Sequence, residues 1–347
     1  MASIKDVAQM ANVSIATVSR YINNPEQVKE ATRNKVQAAI SESGYAPNTL
    51  ARNFRRGKSG IIFVVLPSIG DPFFEGVMKG IQCIAEEQHY SIFIRETQFD
   101  TLTADDYSNM IFSKQADGII LLASICPITP TNLSDVNRKR QPIIISCESV
   151  TPELSHFPSV RIDNMSASME ATDYLIGLGH KNIAFIYGTH TSTLTQDREH
   201  GYQRAMKAAK LPIAEGWVLE GALTIDGARI ATRKLLNHPE RPTAIFCAND
   251  EMAMGALYEI KSAKLRIPED ISVLGFDDIR YAEILDPPLT TIAQPTEEIG
   301  RRTMQRLISA IEGQDIGIEA EIVPHKLIVR SSTGPAPKRR RKAASLN

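Results

Sequence analysis

From residue 60 onward, seven short apolar runs alternate with longer amphipathic stretches, and this alternation restricts the fold more than any other feature of the chain. The runs are GIIFVVLP, YSIFIRE, DGIILLAS, QPIIISCE, NIAFIYG, TAIFCAND and ISVLGFDD. Nearly continuous apolar runs of this length suit strands buried on both faces. Between them FFEGVMKGIQCIAEEQ, SASMEATDYLIGLG, REHGYQRAMKAA, DEMAMGALYEIKSA and EEIGRRTMQRLISAIE carry apolar residues at helical spacing. Strand-helix-strand alternation predicts parallel sheets covered by helices on both sides. The strands are too many for one comfortable sheet. Two similar doubly wound α/β lobes are expected, with ligands bound beyond the carboxyl ends of the strands.

The first 46 residues follow a different rule. Ile4, Val7, Ala8 and Ala11 lie on one helical face, and Ser3 and Asp6 are placed as a capping box. Asn12 and Ser14 interrupt the pattern; Ser14 is a good N-cap for a second helix with Val18, Tyr21 and Ile22 inward, ended by Asn23-Asn24-Pro25. A third helix is expected from about Thr32 to Ser43, with Val36, Ala39 and Ile40 inward and Gly44 as its stop. This is an all-α helix-turn-helix pattern, whose second helix enters the DNA major groove. A small helical bundle without DNA contact fits the periodicity equally well. The outward residues favour DNA: Arg20 suits a bidentate contact to guanine, Ile15 and Ala16 suit a thymine methyl, and Thr17 and Ser19 suit phosphates.

PNTLARNFRRGKS, residues 47–59, reads as a hinge helix and linker. Two turns are well below the roughly 12–15 residues an isolated helix needs in water, so a partner must order it. Packing against the core is one possibility; the other is the DNA minor groove, with an apolar wedge between base steps and Arg52, Arg55 and Arg56 near phosphates. Gly57-Lys58-Ser59 is not a phosphate-binding loop, because Arg52 stands where its first glycine is required.

The formal net charge of -1 conceals an asymmetry. Residues 1–60 hold nine Lys/Arg against four Asp/Glu, and the KRRRK of residues 338–342 holds five against none, leaving 25 against 36 elsewhere. A basic amino-terminal module suits a polyanion, although a solvated charged face is the simpler alternative. Cys83, Cys126, Cys147 and Cys247 are far apart and mostly beside apolar runs, so reduced, buried thiols are expected rather than disulfides or zinc. No targeting segment is visible and the strongest apolar run, Ile61 to Leu66, is too short to span a bilayer, which predicts a cytoplasmic protein.

At the predicted strand ends stand Asp71-Pro72-Phe73-Phe74, Asn249-Asp250 and Asp277-Asp278. Each is explicable alone as a helix cap or turn. Together they describe a cleft with aromatic walls and a hydrogen-bonding floor. GxGxxG, HExxH, GxSxG and CxxC are all absent from the sequence, so binding rather than an enzyme is expected, with no cofactor and no metal.

IKDVAQMANVSIATVSRYIN, TRNKVQAAISESGYAPN, GHKNIAFIYG, RPTAIFCANDEMAMGAL, IPEDISVLGFDDI and DPPLTTIAQP resemble the LacI/GalR family of bacterial repressors, from residue 2 to about 333. VKEATRNKVQ, DPFFEGVMKGI and SKQADGIILLAS are nearest to its cytidine-responsive subgroup. The resemblance implies a homodimer on pseudo-palindromic double-stranded operator DNA, hinge helices in the minor groove, and a periplasmic-binding-protein-like core taking a nucleoside effector such as cytidine. It also implies contact with the cyclic-AMP receptor protein and a bacterial, nucleoid-associated location. Matched motif to motif, base reading falls on Ile15, Ala16 and Arg20, the wedge on Phe54, and effector binding on Phe73, Phe74, Arg198, Leu223, Asn249 and Asp277.

The implied organisation is a headpiece at 1–46, a hinge at 47–59, a two-lobed core at 60–334 and a basic, disordered tail at 335–347. The lobes take about 60–161 with 293–323, and about 163–290 with 326–334. The wedge is most often leucine in the family, against Phe54 here, and Leu223 replaces the phenylalanine of purine- and nucleoside-binding relatives. A sugar- or purine-responsive repressor of the same family is the alternative, and a solute-binding protein without DNA contact the remote one. The tail lacks leucine heptads, so a dimer rather than a tetramer is expected.

Overall fold

The structure, a computed structural model, describes residues 2–45, 58–97, 113, 115–122, 142–149, 157–190 and 192–338. The hinge residues Arg52, Phe54, Arg55 and Arg56, together with Cys126 and the last nine residues, lie outside the described residues. The chain divides into two compact units, residues 1–60 and 61–347.

The first unit contains α1 (Ile4–Met10), α2 (Ile15–Asn23) and α3 (Glu30–Ser43). Ser3 and Asp6 form the expected capping box, and Ser14 Oγ accepts from the Thr17 amide at 3.1 Å to start α2. Val7, Ala8, Ala11, Val18, Val36 and Ala39 form its core, with Ile4, Tyr21, Ile22 and Ile40 packed around it. Two details differ from expectation. The α3 helix begins at Glu30, two residues before Thr32, with an acidic first turn that complements the helix dipole. A single 3-10 turn, Pro25–Gln27, fills the connection. Gly44 ends α3 at φ 63, a left-handed conformation that glycine adopts at no steric cost.

The described residues of the second unit form two six-stranded sheets. The first contains β1 (Ile61–Leu66), β2 (Ser91–Glu96), β3 (Gly118–Leu121), β4 (Ile143–Ser146), β5 (Ser159–Arg161) and β11 (Ala320–Ile322), in the order β11-β5-β4-β3-β1-β2. The second contains β6 (Ile183–Tyr187), β7 (Val218–Glu220), β8 (Ala244–Cys247), β9 (Ser272–Asp277), β10 (Thr290–Ala293) and β12 (Lys326–Ile328), in the order β12-β10-β9-β8-β6-β7. Among the described residues every pairing is parallel except β10 with β12. The seven apolar runs become β1, β2, β3, β4, β6, β8 and β9.

Among the described residues six helices cover these sheets: α4 (Pro72–Glu87), α5 (Asn164–Gly177), α6 (Thr193–Ala208), α7 (Ile225–Leu236), α8 (Asp250–Ser262) and α9 (Thr296–Ile311). The chain leaves the first lobe after β5, returns after β10 so that α9 packs on α4 and on β3 to β5, and passes from β11 to β12 for the last crossing. Helices α4 and α9 meet backbone to backbone. A Cβ at Gly80 would lie 2.0 Å from the Glu297 carbonyl oxygen, and one at Gly300 would lie 2.1 Å from that of Val77, so both positions require glycine. Of the described cysteines, Cys147 and Cys247 are buried, but Cys83 is only partly so: it lies on α4 with the Arg301 guanidinium 2.8 Å from its sulfur. Among the described residues no helix is long and apolar enough to cross a membrane.

Candidate functional site

On α2 the core side is Val18, which leaves Ile15, Ala16 and Arg20 exposed on one surface of the first unit. Ile15 is 44% exposed, a large apolar side chain presented to solvent at a helix start. Thr17 and Ser19 are half-buried, and the Thr17 hydroxyl lies 2.9 Å from that of Ser14. Ile15 and Ala16 start α2 and Arg20 stands in its last turn, so an exposed arginine and two exposed apolar side chains share this helix.

In the second unit the carboxyl ends of the strands converge on Arg198, which projects from the middle of α6 and is 3% exposed. Its Nε donates to Asn164 Oδ1 at 2.9 Å, its Nη1 donates to the Ala248 carbonyl, and its guanidinium stacks over the Phe276 ring at 3.7 Å. Its Nη2 lies 3.4 Å from Asp277 Oδ1, and that oxygen also accepts from Gln294 Nε2 at 2.7 Å. Asp277 sits at φ 114, a backbone conformation that a non-glycine residue holds only when its surroundings enforce it. Cys147, Ala222, Leu223 and Asp278 share positive φ at neighbouring strand ends.

Electrostatically the cluster is dominated by carboxyls. Burial pushes Asp277 up to about 7 against the opposing pull of Arg198, and burial likewise pushes Glu148 up to about 7 against its bonds to α6 and the Arg198 charge. Asp250 is raised well above the carboxylate range by burial and by Asp277. Arg198 is lowered by burial, opposed chiefly by Asp277 and Glu148. Burial also raises Asp71, which caps α4 by accepting from the Phe73 amide at 2.9 Å and feels the charge of Arg198.

Asn164 and Gln294, which bond this pair, keep Asn164 Nδ2 and Gln294 Oε1 buried without a partner among the described residues, as do Ser192 Oγ and Thr195 Oγ1 at the start of α6. Native interiors tolerate few such groups, and each is free to bond a polar ligand. Asn249 caps α8 through the Met252 amide at 2.9 Å and donates Nδ2 to the Leu223 carbonyl at 3.3 Å. Asp250, by contrast, is a brace. Its carboxyl accepts from the Ile279 amide at 2.9 Å and the Thr291 hydroxyl at 2.7 Å, fixing the loop after Asp277.

The aromatic pair lies in the first turn of α4, just after Asp71. Phe74 is buried in the hydrophobic core and meets Phe73 edge to face at 5.1 Å, with Phe73 only partly buried. A groove of about 780 Å³ between the lobes is lined by Asp71, Phe74, Glu75, Glu251, Met254 and Arg280 among others, and neither Arg198 nor Asp277 lines it. The Arg198–Asp277 cluster and that groove are lined by different residues. Glu148, Asn164, Thr195 and Gln294 were absent from the expected set. Asn164 and Gln294 follow the short strands β5 and β10, which carry no period to mark their ends.

Fold and site together define a DNA-binding regulator: a helix-turn-helix unit carried by a chain whose larger part is a two-lobed ligand-binding core. Residues 3–48 match the model of the bacterial regulatory proteins of the lacI family, and residues 172–333 match that of the periplasmic binding protein-like domain. The chain is 38% identical over 336 residues to the HTH-type transcriptional repressor CytR of Escherichia coli (strain K12), covering 97% of each sequence. Catabolite control protein A of Priestia megaterium is 33% identical over 332 residues, 95% of this chain and 99% of that one. The repressor PurR of Vibrio cholerae is 34% identical over 315 residues, 91% and 93% respectively. Among solved structures, the lac repressor dimer bound to operator and the anti-inducer ONPF superposes with a TM-score of 0.82 at 26% identity, covering 96% of this chain and 99% of that one. The regulator CelR in complex with cellobiose gives 0.72 at 30% identity, with 96% and 100% covered. The chain belongs to the LacI family and is a DNA-binding transcriptional repressor.

Proposed function

We propose that this repressor binds a pseudo-palindromic operator as a homodimer in the bacterial cytoplasm, at the nucleoid, and that a nucleoside such as cytidine, taken between the lobes, controls that binding. The observation that carries the effector reading is the buried Arg198–Asp277 pair, bonded by Asn164 and Gln294, whose Nδ2 and Oε1 have no partner among the described residues. A ribose offers adjacent hydroxyls to Asp277, Arg198 and Asn249, and a base offers amide-like groups to the Asn164, Ser192 and Thr195 side chains. Phe73 is the stacking candidate, with Phe74 behind it and Leu223 as apolar wall. On the DNA side, Ile15, Ala16 and Arg20 read base edges, Thr17, Ser19, Arg52, Arg55 and Arg56 hold phosphates, and Phe54 is the minor-groove wedge.

A sugar or a purine is the second reading, favoured by the same hydroxyl-suited cluster and by the likeness to CelR, whose structure contains cellobiose. By resemblance to CytR, the cyclic-AMP receptor protein is a candidate partner on DNA. Calorimetry with cytidine, uridine, adenosine, ribose, galactose and hypoxanthine tests the effector. Cytidine binding lost in Arg198→Ala and Asp277→Ala supports the nucleoside reading; tight sugar or hypoxanthine binding without response to any nucleoside overturns it and leaves the repressor intact.

A further inference from the structure

Helix α6 carries Arg198, yet its own N-cap residue, Ser192, makes no side-chain cap bond. An uncapped helix start leaves amide hydrogens without partners. Here the cap comes from the other lobe. Glu148, just beyond β4 of the first sheet, accepts from the Thr193 hydroxyl at 3.0 Å and from the Leu194 amide. The same hydroxyl lies 2.7 Å from the Ser149 carbonyl, and the Ser149 hydroxyl donates to Asp197 one turn further along α6.

We propose that Glu148 is a cross-lobe latch: its carboxyl, carried by one lobe, seats on the first turn of the other lobe's α6, positions the helix that holds Arg198, and must leave that seat for the lobes to part. The seat is almost fully enclosed, Glu148 being 4% exposed. A carboxylate released to water is solvated, whereas in the seat its charge faces Arg198, which favours it, and Asp197, which opposes it. Cys147 beside it, pushed by burial up to about 12, stays a neutral thiol, and Asp277 pairs with Arg198. Burial dominates and raises Glu148 to about 7 in the seat. The latched form therefore holds a proton that the open form gives up. Latching is strongest at low pH, weakens as pH rises from the ordinary carboxyl range to about 7, and is constant above.

The inference rests on the two-lobed cleft and uses no effector, so its test is separate from that of nucleoside binding. Hydrogen exchange of the full-length free protein is followed at Leu194 to Asp197, corrected for intrinsic rates, between pH 5 and pH 8. In the wild type, protection is expected to fall at least tenfold across that range. Glu148→Gln, which keeps a neutral acceptor, is expected to hold protection nearly constant and above wild type at pH 8. Glu148→Ala is expected to be unprotected at both ends, and Thr193→Val, nearly isosteric, to lose protection severalfold at pH 5 if the alanine variant fails to fold. Parallel pH profiles for wild type and Glu148→Gln would overturn the latch, as would full protection in Glu148→Ala or Thr193→Val.

Discussion

Arg198 and Asp277 form an ion pair at 3.4 Å with both side chains nearly excluded from water. Such a pair adds little net stability by itself, but removing one partner leaves the other charged and buried at a cost of about 3–5 kcal/mol. Asp277→Ala is therefore expected to lower the urea midpoint of the core markedly. Asp277→Asn, which keeps an acceptor for Gln294, is expected to cost less stability yet still weaken the effector by about 1–3 kcal/mol, since a ligand hydroxyl loses its charged acceptor. Urea titration and calorimetry on the two variants separate these effects.

Stability should respond to pH through the same cluster. Burial raises Glu148 and Asp277 to about 7, far above unfolded carboxyls near ~4, so each contributes stability that is complete below the unfolded value and lost as pH rises through 7. Glu259 and Asp270, each held at about 2 by arginine hydrogen bonds, stay charged above pH 5 and add no slope there. His180, lowered by burial, acts in the opposite sense as pH falls below its ordinary 6.5. Subtraction of a Glu148→Gln profile removes these common contributions. The variant is expected to gain on wild type between pH 5 and 7 and to hold a constant advantage above 7, read as chemical-denaturation midpoints.

Arg20 faces outward on α2, clear of the core that Val18 anchors. Loss of one bidentate base contact in Arg20→Ala should cost roughly 1–3 kcal/mol per half-site on the operator and leave random-sequence DNA almost unaffected. Arg55→Ala should weaken both. Gel-shift titrations at fixed salt distinguish a base contact from a phosphate contact; equal weakening on both DNAs would reverse the orientation assigned to α2.

Phe54→Ala should lower operator affinity while leaving core stability unchanged, because two turns of helix gain most of their order from a partner. Thermal melting of the free protein beside operator titration checks this. A melting temperature lowered by several degrees would place Phe54 against the protein core instead.

How far these features were legible depended on how local their cause was. The Ser3–Asp6 box, the Ser14 cap and the Gly44 stop are each decided within four residues, and each appears in the helices as read. The seven apolar runs became strands for the same reason. The short strands SVR, VLE, TTIA, AEI and KLI escaped, because three or four residues carry no period and their pairing partners lie far along the chain. In the site, Asn249 and Asp277 were visible at strand ends. Arg198 had no local signal: α6 reads TLTQDREHGYQRAMKA, a polar helix in which a buried arginine looks like any exposed one, so only resemblance pointed to it. Glu148 was invisible, since its role exists only where two lobes meet.

The central claim, that a ligand between the lobes governs DNA binding by the headpiece, is tested most directly by fluorescence anisotropy. A labelled operator, obtained by selection from random palindromes, is titrated with the full-length protein with and without saturating cytidine, for wild type and Asp277→Ala. Cytidine is expected to shift the wild-type operator Kd at least fivefold, the lower end of ordinary allosteric coupling, and to leave the Asp277→Ala titration unmoved. A wild-type operator Kd unchanged by cytidine, uridine, adenosine, hypoxanthine, ribose and galactose, each tested at saturation, would contradict it.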